Sequence, residues 1–213
     1  MMKLLYKELS LAAHPTLFIF TMMGVLVLVP SYPYSVIFLF GCLAPYITFV
    51  NARENNDVWY TAILPVKKRE TVMAKCLLIL TSQLGQLLIT IPFAFLRGYL
   101  KLPNNTVGMD ANAAWFGFGL ILFTLFDLVF FPAYYQSGYK AGRSFLLAML
   151  PVVPLMIVIE SIVHFPGMSW LDSVSAAALP KQFPILIAGI LCYAGGMVLA
   201  YRIAAGRFEK VDL

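Results

Sequence analysis

The chain has 213 residues, of which 61% are hydrophobic and 12% are charged, about half the charged fraction of an ordinary soluble domain. Its mean hydropathy is +0.85. These values exclude a soluble globular protein and fit a membrane protein of about five or six helical spans, because each span needs roughly 20 apolar residues.

We predict an all-α membrane protein, a single domain over residues 1–213 with six transmembrane helices and an N-terminal interfacial helix. In that first helix Lys3, Lys7, Ser10 and His14 share one face and apolar residues another, as in helices that lie at the headgroup level. The apolar runs place the spans at about 11–30, 35–50, 71–96, 113–131, 144–163 and 183–203.

The basic residues predict the orientation of these spans. With six spans and both termini in the cytoplasm, twelve Lys and Arg residues fall on the inner side, and three fall outside. The outer three are Arg97, Lys101 and Lys181. This bias follows the positive-inside rule and predicts a multi-pass protein of the cell membrane with both termini in the cytoplasm.

Four polar residues within the predicted spans are candidates for a substrate path: Gln83, Gln86, Asp127 and Glu160. The glutamines share one face of the third span and either bond to a neighbouring helix or line a substrate path. A charge at the bilayer centre costs at least about 2.5–3.5 kcal/mol, so each acid should face the protein interior or a wet cavity. Asp127 and Glu160 would either attract a cationic or amphipathic substrate or form hydrogen bonds to neighbouring helices. For Glu160 a third alternative is that it simply lies near the membrane interface.

Small residues recur every four positions in the last span, which predicts a seam where another helix approaches closely. They are Ala188, Cys192, Gly196, Ala200 and Ala204.

Signals of an enzyme are absent from the sequence. It has no G-x-x-x-x-G-K-[ST] motif for nucleotide binding, and His14 and His164 lie at opposite predicted membrane faces. We therefore predict no catalytic residue, no bound cofactor or metal, and no nucleic-acid partner.

The longest polar interruption, residues 51–75, also holds an aromatic helical segment. Asn55 and Asn56 are good helix-starting residues, and Pro65 stops a helix, so we predict a short cytoplasmic helix over residues 55–64. Its aromatic side chains, Trp59 and Tyr60, would rest on the membrane interface or anchor in a groove of a partner protein.

This stretch resembles the signature of ABC-2 type transporter permeases, E-x-G-T-x-E-x-L-L-x-x-P-V-x-R-x-x-[IV]-x-x-K, which joins the second and third spans. The matching positions are Glu54, Leu64, Pro65, Val66, Lys68, Val72 and Lys75. Asn56 and Asp57 replace the family's Gly-Thr, and Trp59 replaces its second acidic residue.

The link after the fourth span resembles a second segment of small permeases in this group, P-x-Y-Y-x-x-G-Y. It contains Tyr135, Gly138, Tyr139 and Lys140. In size and in its L-P-V-K-K-R-E form the chain is similar to small bacterial permeases, including those that export amphipathic peptides such as phenol-soluble modulins.

The resemblance implies a bacterial permease that pairs with a second permease copy or a paralogue. Separate ABC ATPase chains would bind ATP and Mg and dock on the short helix between the second and third spans. The expected coupling residues are Glu54, Asp57, Val58, Trp59, Tyr60, Leu64, Pro65, Lys67, Lys68 and Arg69.

Two other functions fit the residues. One is an ion-coupled secondary carrier that titrates Asp127, and the other is a non-transporting anchor or sensor subunit that uses the same loop to recruit a partner.

Overall fold

A computed structural model describes residues 2–63 and 65–210, and the side chains at positions 2, 3, 11, 12, 58, 59 and 62 lie outside that description. Within the described part the chain is all-helical. Its α-helices are α1 (Met2–Lys7), α2 (Pro15–Thr21), α3 (Ser35–Glu54), α4 (Asp57–Ile63), α5 (Lys68–Tyr99), α6 (Ala113–Gln136), α7 (Ala141–Ile162) and α8 (Leu179–Glu209).

The first predicted span begins later than expected, because the chain breaks before it. The helical segments Leu4–Ser10 and Pro15–Leu28 meet at 89°. His14 lies in extended backbone at the break, and its ring accepts a hydrogen bond from the backbone N–H of Thr16 at 3.2 Å. Pro15 opens the new helix, at a position where its missing N–H costs nothing.

The first crossing is also short. After Thr21 the chain continues as a 3₁₀ helix, Met22–Leu28. Seven α-helical and seven 3₁₀ residues together extend about 24 Å, less than the roughly 30 Å of a bilayer core. A 3₁₀ helix rises about 2.0 Å per residue and an α-helix about 1.5 Å, so the 3₁₀ part spans more of the bilayer than an α-helix of the same number of residues would.

Five helices, α3, α5, α6, α7 and α8, are long and apolar enough to cross a membrane, and the bent pair makes a sixth candidate. The contacts favour six crossings. Lys7 pairs with Asp57 beside the start of α5, and the first turn of α5 pairs with the last turn of α8. Pro30, after the first crossing, lies at the other end of the bundle, where its carbonyl accepts from the Thr106 N–H at 3.4 Å. The described chain thus begins and ends at one end, which we call the basic end after Lys7 and Arg69.

The core is built around α6, most of whose aromatic side chains are buried, from Phe123 to Tyr135 and at Trp115. Its closest helix contact is with α8, where a Cβ atom added to Gly189 would lie 2.3 Å from the carbonyl oxygen of Gly117. Side chains larger than hydrogen would force these two backbones apart.

The predicted small-residue seam on α8 is right in its inner half and wrong in its outer half. Gly196, Ala200 and Ala204 are buried, whereas Ala188 and Cys192 are exposed. A strict four-residue repeat drifts by about 40° per step on a helix of 3.6 residues per turn, so the run cannot stay on one face. Gly189 takes the place of Ala188 in the actual contact with α6.

Candidate functional site

The short helix predicted at 55–64 is present as α4, Asp57–Ile63. It begins later than expected because Asn56 adopts left-handed backbone, with φ of 53°. Asparagine tolerates that conformation better than most residues, and here it turns the chain sharply out of α3. Pro65 follows α4, as expected for a residue that stops a helix. Leu64 lies outside the described residues.

One face of α4 carries a buried cluster of charges. The ammonium of Lys75, in the second turn of α5, lies 2.9 Å from Glu8 and 2.7 Å from Asp57. Lys7 lies 2.6 Å from Asp57 and 3.1 Å from Glu8, and it also donates to the Thr61 hydroxyl at 2.7 Å. Two cations and two carboxylates thus join the N-terminal helix, α4 and the start of α5. We call these five residues the charge cluster.

Burial makes the charge cluster sensitive to the loss of any member. Lys75 and Glu8 are each 1% exposed, and Asp57 is 8% exposed. Burial raises the pKa of Asp57, but the ion pairs with Lys75 and Lys7 outweigh burial and hold that pKa below its ordinary value. Asp57 is therefore ionised at neutral pH and anchors α4 to the body of the protein.

Another face of α4 is open to the surroundings. Tyr60 is 56% exposed and Ile63 is 64% exposed. The backbone of Val58 and Trp59 belongs to the same helix, but their side chains lie outside the described part. The helix is thus anchored by Asp57 and exposes an aromatic and an aliphatic side chain.

The basic residues that open α5 differ in their surroundings. Lys67 is exposed, and its backbone N–H donates to the Glu70 carboxylate at 3.0 Å, which caps the helix. The ammonium of Lys68 lies 5.7 Å from the ring centre of Phe208. Arg69 forms two hydrogen bonds, of 2.6 and 3.0 Å, to Glu209.

The ion pair with Glu209 holds Arg69 against the end of α8. Glu54, at the end of α3, is exposed.

The second link, after α6, packs inward. Tyr135 is buried, and its ring centre lies 5.0 Å from that of Phe208. Gly138 and Tyr139 both have φ of 65°, and the Tyr139 N–H donates to the Tyr134 carbonyl, which ends α6 in a tight turn. The aromatic residues of this link therefore hold α6 against α8, while Gly138 and Lys140 are exposed.

Asp127 has no exposed surface. Gln83 donates to it at 3.1 Å, and the Tyr193 hydroxyl donates to the oxygen of Gln83 at 2.7 Å. This chain of hydrogen bonds joins α6, α5 and α8. The contacts match the structural role for Asp127 and Gln83, since neither side chain is exposed along a path.

Gln86 and Glu160 also bond to neighbouring helices. The Gln86 amide donates to the carbonyls of Phe20 and Ile37, at 3.0 and 2.8 Å, and so joins α5 to α2 and α3. Glu160 accepts from the backbone N–H of Ser35 at 2.7 Å, and its other oxygen accepts from a loop N–H. A carboxylate at the first turn of α3 satisfies a free N–H group and complements the helix dipole.

Sequence reasoning missed the partnership of Glu8 and Lys75. Glu8 was absent from the expected site, and Lys75 entered only as a matching position of the family signature. A signal was available, because Lys75 lies within the predicted third span, and a lysine inside an apolar helix needs a partner of opposite charge. Finding that partner requires the 89° bend that brings the N-terminal helix back over α5.

Across the described residues, no three His, Cys, Asp or Glu side chains gather as a metal site would require. A family model described as ABC-2 family transporter protein matches residues 3–204 of the chain. No curated protein and no solved structure matches it. The family match includes α4, the charge cluster and the second link.

Proposed function

The chain belongs to the ABC-2 family of transporter proteins and is a membrane permease, and from that premise we propose that a separate ATPase drives it through α4. The proposed cargo is a hydrophobic or amphipathic molecule, including amphipathic peptides, and the direction is export. The cargo would pass between this chain and a second permease copy, identical or related.

The observation that supports this proposal is the two-faced build of α4. Its buried face is joined by ion pairs to α5 and to the N-terminal helix. Its other face exposes Tyr60 and Ile63. A helix that is joined by ion pairs to two elements and exposed on another face can pass a displacement by a docked partner on to the membrane-crossing helices.

The charge cluster joins α4 to the two elements that this displacement would move. Asp57 contacts both Lys75 in α5 and Lys7 in the N-terminal helix, so a displacement of α4 moves two elements together. We propose that closure of the ATPase pair on ATP displaces α4 and so alternates access between the two sides of the membrane.

Co-purification with an ATPase encoded beside this chain tests the proposal, followed by measurement of substrate-stimulated ATP hydrolysis. We expect Tyr60→Ala, and equally Trp59→Ala, to weaken the complex by roughly 30-fold or to uncouple hydrolysis from transport, since truncation of an aromatic anchor costs about 2 kcal/mol or more. Tyr99→Ala, at a tyrosine that is even more exposed and ends α5 at the opposite end of the bundle, is the control. Unchanged binding and transport in both α4 variants would disprove coupling through this helix.

An ion-coupled carrier that titrates Asp127 is less compatible with the structure, because that side chain has no exposed surface. Transport by the purified chain under an ion gradient, without an ATPase, would favour the carrier. Partner binding without movement of cargo would favour an anchor or sensor subunit.

A further inference from the structure

A cavity of about 510 Å³ lies at the end of the bundle opposite the basic end. It is lined by the last turns of α5, the first turns of α6 and α8, and the loops that join these helices. Its volume falls within the roughly 300–1,000 Å³ of small-molecule sites. None of the proposed coupling residues lies there, so the cavity is independent of the proposed function.

The walls of the cavity are mostly apolar, and its mouth faces the surroundings of the bundle. Ile91, Ala94 and Phe95 line it from α5, and Phe183 and Leu186 line it from α8. Phe95 is 74% exposed and Phe183 is 47% exposed. Both belong to helices long enough to cross a membrane, so this side of the cavity would face lipid acyl chains. With the basic end in the cytoplasm, as the positive-inside rule predicts, these chains belong to the outer leaflet.

Three buried polar residues also line the cavity, Arg97, Asn112 and Gln182, and of these Arg97 and Gln182 are 6% and 1% exposed. The Gln182 amide nitrogen donates to the carbonyls of Trp170 and Ser173, at 2.9 and 2.8 Å. These two bonds fix which end of the amide is the oxygen. That oxygen has no hydrogen-bond partner among the described residues.

Arg97 leaves a complementary group. Its two terminal nitrogens bond to the Asp110 carboxylate and to the Pro103 carbonyl. Its Nε–H has no partner within the described part of the chain. Buried polar groups almost always have partners, so a free donor and a free acceptor on two lining residues call for an explanation.

These groups define the ligand. Asp110 already neutralises the charge of Arg97, so the site requires no net charge from its occupant. Both atoms are covered by neighbouring side chains, so a ligand reaches them only after a small shift of the lining. The free Nε–H then suits a carbonyl oxygen, and the free amide oxygen suits a hydroxyl or N–H group. We propose that the cavity binds a neutral lipid of the outer leaflet, with its acyl chain against α5 and α8 and an ester or amide head carrying a hydroxyl at Arg97 and Gln182.

Photolabelling of the full chain tests this site. The purified protein, one chain per phosphatidylcholine nanodisc, is labelled with a monoacylglycerol that carries a diazirine in its acyl chain, and the labelled peptides are mapped. We expect the label in residues 91–98 and 179–186. Ala94→Phe, which fills the cavity, should lower this labelling at least fivefold. Ala188→Phe adds the same ring to an exposed position of α8 outside the cavity and should leave it unchanged.

A second variant tests the polar end. Arg97→Lys keeps a cation opposite Asp110 but removes the Nε–H, and we expect labelling by the neutral probe to fall by about fivefold, as for the loss of one hydrogen bond. Equal labelling of Ala94→Phe and the natural sequence would overturn the proposal. Stronger, salt-sensitive labelling by a fatty-acid anion would also overturn it. Loss of labelling in discs that hold two chains would show that a second copy covers the cavity, and would overturn it as well.

Discussion

Replacement of Lys75 by methionine tests whether the charge cluster holds α4 in place. Lys75 is buried between the carboxylates of Glu8 and Asp57. Its loss leaves two buried anions in contact with one cation, Lys7. Removal of one partner of a buried ion pair costs about 3–5 kcal/mol, and because Lys7 remains we expect the lower figure, about 3 kcal/mol.

Hydrogen exchange of the α4 amides measures this effect. About 3 kcal/mol corresponds to roughly a 100-fold rise in the fraction of time that α4 is open, since each 1.4 kcal/mol is tenfold. Arg69→Met is the matched control, because it removes an ion pair at the same end of the bundle whose side chains are 64% and 42% exposed. An exposed pair contributes below about 1 kcal/mol, so exchange should rise less than about fivefold.

A double variant separates charge balance from lost packing. Glu8→Met together with Lys75→Met removes one charge of each sign and leaves the 2.6 Å pair between Lys7 and Asp57. We expect it to recover most of the protection, because apolar replacement of a buried pair is often neutral. If Lys75→Met raises exchange no more than Arg69→Met does, the charge cluster does not anchor α4.

Three further predictions concern other groups. The pKa of Asp57 is lowered in the folded protein, so the stabilisation from the ionised carboxylate is present at neutral pH and is lost as the pH falls below about 4. Hydrogen exchange of the α4 amides, corrected for intrinsic rates, should therefore rise below that pH. The rise should be smaller in Asp57→Asn, which has no carboxylate to protonate. Gly189→Ala places a methyl group 2.3 Å from a backbone carbonyl of α6 and should destabilise the fold by about 1–3 kcal/mol in thermal unfolding, whereas Gly195→Ala, with open space around it, should not. Asp127→Asn keeps an oxygen facing Gln83 and should retain stability and transport. Asp127→Leu leaves the Gln83 amide without its acceptor and should lower the free energy of unfolding by about 1–3 kcal/mol. Loss of transport in a stable Asp127→Asn variant would instead indicate that Asp127 titrates during transport.

The positions of the long helices could be predicted from the sequence, because a span needs a continuous apolar run and charged residues mark its ends. The start of α4 was misplaced by two residues, since the left-handed backbone of Asn56 is one of several turns that the same residues allow. The partners of Asp57 and Arg69 could not be predicted either, because each meets its partner from another part of the chain, at Lys75 and at Glu209.

Composition and periodicity by themselves determined that this chain is a helical membrane protein with a short aromatic helix in the polar stretch between its second and third crossings. These properties are local, since they depend on the cost of placing each residue in lipid or in a helix. The tertiary structure alone decided which side of α4 is anchored. Pairing of Lys75 with Glu8 joins residues 67 positions apart. Such a contact exists only after the N-terminal helix has turned back along the bundle, and no pattern of residues in one segment contains that geometry.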